Sequence, residues 1–108
     1  MSTVRPMMRA HVDTHSMIHF LPGLHRYLDW PDVAALAAPR SLMVQQCSRD
    51  GLFPLEGMQA AIAGIGRSFD KAGCSANFAG RFYDAPHRLT IAMQDEAFSW
   101  LDQKLENS

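Results

Sequence analysis

Two short apolar runs separated by one long amphipathic segment constrain this chain more than any other feature. Leu42-Met43-Val44 is continuous and does not alternate, the pattern of a strand buried on both faces of a parallel sheet. Phe78 to Tyr83, FAGRFY, is rich in aromatics, broken by Gly80, and is the second strand candidate. Between them Pro54 opens a segment in which Leu55, Met58, Ile62, Ile65, Phe69 and Ala72 recur in steps of three and four. That spacing predicts a helix with one apolar stripe. Glu56 suits its first turn, Lys71 its last, and Gly73 is a left-handed terminator. A strand, a helix and a strand in that order predict a parallel pair joined by a right-handed crossover.

The flanks extend the pattern. Pro31 to Ala38, PDVAALAA, reads as a helix with Pro31 and Asp32 in its first turn and Pro39 ending it. A last helix starts near Ile91, with Phe98, Leu101 and Leu105 on its apolar face and Trp100 flanking. Residues 1–21 read as an irregular N-terminal segment and residues 22–108 as the folded α/β portion, the Pro22-Gly23 pair marking the boundary. Two weaknesses stand out. Gly57, Gly64 and Gly66 each cost a helix interior roughly 0.8 to 1 kcal/mol relative to Ala, so packing has to hold the central helix. Two parallel strands also expect neighbours on both edges and cover on both faces, so the chain looks incomplete on its own.

The totals exclude several classes. Apolar residues at 47% and charged residues at 19% are ordinary for a globular domain. A formal net charge of -1 gives no reason to expect nucleic acid or an anionic membrane as partner. No stretch approaches the roughly 18 apolar residues of a membrane span. The N-terminus lacks a secretory apolar region, so a chain starting at Met1 is expected in the cytoplasm. Cys47 and Cys74 have no CxxC spacing and read as free thiols.

The candidate chemistry lies just past the two strands. In open α/β sheets working residues collect beyond the carboxyl ends of the strands. "QQCSRDGLFP" puts Asp50 after the first strand, and "DAPHR" puts His87 after the second. In a parallel sheet both loops lie on one edge, so the two side chains can meet. An Asp that accepts the Nδ1–H of a His fixes the tautomer and stabilises the imidazolium formed on proton transfer. The plainer alternative makes Asp50-Gly51 a turn and His87 a surface residue.

The stretch from Pro22 to about Leu105 resembles the carboxyl-terminal part of an α/β-hydrolase of the acetyl xylan esterase and dienelactone hydrolase-like group. The resembling segments are "PGLHRYLDWPDVAALAAPRSLMVQQCSRDGLFP", "FYDAPHR" and "MQDEAFSWLDQKL", and the stretch that contains them spans about four-fifths of the chain. The resemblance implies an α/β-hydrolase fold of which this chain supplies the last two parallel strands and flanking helices. It also implies a serine carboxylic-ester hydrolase with Asp50 as triad acid and His87 as triad base. An ester, such as an acetylated carbohydrate, is the substrate class implied, with no cofactor and no metal. Where relatives often carry Gly in the turn before the acid, this chain has Cys47-Ser48.

The nucleophile elbow, G-x-S-x-G, is missing. Gly66-Arg67-Ser68-Phe69-Asp70 lacks the second Gly, Gly73-Cys74-Ser75-Ala76-Asn77 fails as well, and both follow Asp50 rather than precede it. The chain alone is therefore expected not to turn over an ester. Cys47 as a substitute nucleophile competes with its reading as a small packing residue at a strand end. His11, His15 and His19, with Asp13 among them, have a spacing zinc sites use, but no Cys or Glu completes the set. Arg40 and Arg49 are assigned no role, because exposed ion pairs are worth little. A second reading is a non-catalytic module whose strand edges and apolar faces are covered by self-association or a partner chain.

Overall fold

The computed structural model describes residues 1–10, Gly23 and residues 26–107. Its elements run α1 (Val4–Ala10), α2 (Trp30–Ala35), β1 (Leu42–Cys47), α3 (Leu55–Lys71), β2 (Phe78–Tyr83) and α4 (Ile91–Glu106). The two strands pair in parallel, with Leu42 opposite Phe78 and Cys47 opposite Tyr83. The crossover expected from the sequence is α3. No described helix is long and apolar enough to cross a membrane.

Local signals explain most boundaries. Asp29 caps α2 in a reciprocal capping box with Asp32, and Pro31 occupies the first turn. This helix stops at Ala35 rather than Ala38. From there Leu36, Ala37 and Ala38 each donate to the carbonyl three residues back, so the chain tightens into i→i+3 turns before Pro39. At the end of α3, Gly73 has φ +74, its N–H donates to Asp70, and that of Cys74 donates to Phe69. This is the Schellman closure expected of a helix-ending glycine. β1 runs three residues further than its apolar core, through Gln45 and Gln46 to Cys47. The N-terminal segment is not irregular throughout, since α1 occupies Val4–Ala10.

Successive β2 side chains alternate between two layers. Phe78 packs on Phe69 of α3, with ring centroids 5.4 Å apart, and Gly80 faces Ile62 of the same helix. Arg81 and Tyr83 point the other way and bond Glu96 of α4. The sheet is thus held between α3 and α4, and α1 and α2 pack on α3.

The α3 stripe is buried at Met58, Ile65 and Phe69 as the spacing predicts, while Leu55 and Ala72 at its ends are exposed. Gly57 and Ala61 are buried instead, because small residues let neighbours approach. A Cβ on Gly57 would fall 1.8 Å from the Ser2 hydroxyl, and the Thr3 N–H donates to the Gly57 carbonyl. That glycine admits the N-terminal segment. The apolar face of α4 departs further from expectation: Phe98, Leu101 and Leu105 are exposed, and Met93 is the buried residue of this helix. Leu42, Met43 and Val44 are only half-buried.

Candidate active site

Asp50 and His87 meet. β1 ends at Cys47 and β2 at Tyr83, and the ladder runs on into the loops: the Ser48 N–H donates to the Tyr83 carbonyl at 2.8 Å and the Arg49 N–H to that of Ala85 at 3.1 Å. This register brings His87 Nδ1 to 2.7 Å from Asp50 Oδ2. The Asp50 side chain is 6% exposed and that of His87 59%. The other carboxylate oxygen, Oδ1, accepts the Leu52 N–H at 2.7 Å. Asp50 thus serves a turn through Oδ1 and holds His87 through Oδ2. Phe53 lies beside the imidazole, with ring centroids 6.5 Å apart.

Electrostatics fix the tautomer. Burial pushes the Asp50 carboxyl up, but the His87 hydrogen bond and charge together with the Leu52 and Phe53 amides outweigh it and hold the group below the usual carboxylate range. An ionised carboxylate only accepts, so the proton between the two residues belongs to Nδ1. In the neutral ring Nε2 then carries the lone pair.

A cleft of about 540 Å³ adjoins the pair and is lined by Gln46, Cys47, Asp50, Phe53, His87 and Met93 among others. Cys47 is buried against Ala85 and Met93, and its thiol donates to the Arg88 carbonyl at 3.2 Å. Packing accounts for it. Both cysteines are free thiols. The Met1 α-amino group donates to Gln46 Oε1 at 2.7 Å. Burial lowers the pKa of that amine, against the opposing charge of Asp50. Nothing local in the sequence marks this contact between residues so far apart.

Neither serine of the imperfect elbow matches joins the pair. Ser68 lies within α3 and donates back to Gly64 at 3.2 Å, and Ser75 lies in a short 3-10 turn, bonded to Asp70. His11, His15, His19 and Asp13 lie outside the described residues. Among the described residues, no group of three His, Cys, Asp or Glu side chains could hold a metal ion. No protein-family model matches the chain, and no curated protein or solved structure matches it.

Proposed function

We propose that this chain is the carboxyl-terminal portion of a serine carboxylic-ester hydrolase of the α/β-hydrolase fold, holding the acid and base of its triad. The observation that carries the reading is the 2.7 Å contact between Asp50 and His87 from two loops at the carboxyl ends of adjacent parallel strands. In the intact enzyme the Nε2 lone pair of His87 takes the proton of a serine hydroxyl as its oxygen attacks the ester carbonyl. The same nitrogen later returns that proton to the leaving alkoxide. Asp50 keeps the ring in the tautomer that allows this and stabilises the imidazolium. The serine and the oxyanion donors belong to chain outside these 108 residues.

Expression of the reading frame together with its upstream sequence tests this. A fluorophosphonate probe should label one serine of the longer chain, should do so far more slowly in its His87→Ala variant, and should leave the 108-residue chain unlabelled. Labelling of the short chain, or labelling of the long chain regardless of His87, would refute the proposal.

The exposed apolar side chains of α4 favour a second reading, in which the chain is an interaction module that associates with itself or with a partner. Phe98 and Leu101 belong to the helix face that an amphipathic helix ordinarily buries, and Ile91 at its start is exposed as well. The two readings differ in what covers this face: the rest of the same fold, or another chain.

A further inference from the structure

Arg49 touches the His87 loop three times. Its N–H donates to the Ala85 carbonyl at 3.1 Å. Its Nε donates to Asp84 Oδ1 at 2.7 Å, and a terminal nitrogen of the same guanidinium donates to the Asp84 backbone carbonyl at 3.2 Å. Arg49 precedes Asp50 directly, and Asp84 lies three residues before His87. The other two Arg–carboxylate pairs among the described residues, Arg9–Glu56 and Arg81–Glu96, join α1 to α3 and β2 to α4, away from these loops.

The main chain alone cannot hold the loops in register as far as His87. Its cross-loop bonds end at Ala85, and the next residue, Pro86, has no N–H with which to continue them. Beyond that point only side chains tie the loops, the dyad itself and the Cys47 thiol on the Arg88 carbonyl at 3.2 Å, while Arg49 braces the approach to them from Asp84. A slip of about 1 Å would stretch the Nδ1–Oδ2 contact past hydrogen-bonding range. The pair is also placed where it adds little to folding, with Arg49 61% and Asp84 88% exposed.

We propose that Arg49 is a positioning residue: by clamping Asp84 it fixes the separation of the two carboxyl-end loops and so keeps the His87 Nδ1–H on Asp50. The inference rests on reading Asp50 and His87 as acid and base.

The test is long-range 1H–15N NMR of the imidazole in the 108-residue chain, at a pH where the ring is neutral. The wild type should show His87 as the Nδ1–H tautomer. Arg49→Ala and Asp84→Ala should each shift it toward the Nε2–H tautomer that a solvated imidazole favours, while Tm changes by less than about 5 °C. If both variants keep the Nδ1–H tautomer, the clamp is refuted and the dyad stands. If the wild type already shows the Nε2–H form, the dyad reading fails and the clamp with it. A larger fall in Tm with either variant would make the pair structural and overturn the proposal.

Discussion

Replacing Gly80 by Ala should destabilise the fold, whereas the same change at Gly66 should stabilise it. Gly80 is in the middle of β2, facing α3. A Cβ there would lie 2.6 Å from Cγ2 and 3.1 Å from Cδ1 of Ile62, with the Phe78 ring at 3.3 Å on its other side. Carbon atoms rest about 3.5 to 4.0 Å apart, so Ile62 would have to retreat by about 1 Å or α3 lift from the sheet. Overpacking of this kind costs roughly 1 to 3 kcal/mol. Replacing a strand glycine returns about 0.5 to 1 kcal/mol through the unfolded state. At the middle of these ranges the net loss is about 1 kcal/mol, or roughly 4 to 8 °C in Tm for a domain of this size. At Gly66 the new Cβ would meet the Phe78 ring at 3.9 Å, an ordinary contact, so the gain of about 0.5 to 1 kcal/mol for a helix interior stands without a clash. Thermal and denaturant unfolding followed by circular dichroism measure both. Ile62→Ala removes the two obstructing atoms, so in that background Gly80→Ala should cost less, a coupling read from the double-mutant cycle. Equal stability of Gly80→Ala and wild type, or absence of coupling with Ile62, would mean that α3 and β2 are not packed as closely as described.

Two further outcomes follow from the site and its surroundings. Because the folded-state pKa of Asp50 is depressed, the group contributes stability at pH above its unfolded value of about 3.9, and that contribution disappears as pH falls through the lower folded value. Denaturant midpoints from pH 6 down to 2 should therefore fall less steeply for Asp50→Asn than for wild type; parallel acid limbs would show that the carboxylate is not held as described. The exposed Phe98 and Leu101 predict concentration-dependent sedimentation and Tm for the 108-residue chain, both suppressed by Phe98→Asp with Leu101→Asp; a wild type that stays monomeric with a concentration-independent Tm would remove self-association as a reading.

The parts of this fold that could be read from sequence are those decided by residues close together in the chain. The parallel pair, the long crossover helix, its glycine terminator and the placement of Asp50 and His87 on one sheet edge all follow from local pattern plus the handedness of the connection. Three things did not. The value of Gly57 and Gly80 depends on what approaches them, Ser2 in one case and Ile62 in the other, and neither neighbour is near in sequence. The Arg49 clamp joins two exposed loop residues with no periodicity to announce it. Helix α1 is only 7 residues long, too short for its own apolar stripe to be distinctive.

The burial of α4 and β1 departs from the sequence pattern in a different way. Leu42-Met43-Val44 is written as a strand covered on both faces, yet each residue is half-buried. Phe98 and Leu101 are written as a core-facing row, yet both are exposed. In contrast, the Asp50 side chain is shielded and His87 is paired to it, so the loops at the strand ends are organised although the strand faces are not fully covered. A self-sufficient domain of this size would place its most apolar strand and helix face in its core and leave its polar loops to solvent. Here an ordered polar pair is held in place while apolar strand and helix surface remains in contact with water. The proposed portion of a larger α/β fold would have that distribution, since its cut faces would run through the apolar layers while the edge that carries Asp50 and His87 keeps its own hydrogen bonds. The same distribution makes the two readings separable: if adding upstream sequence buries Phe98 and Leu101 and creates a reactive serine, the enzyme reading holds, and if a second copy covers them first, the module reading does.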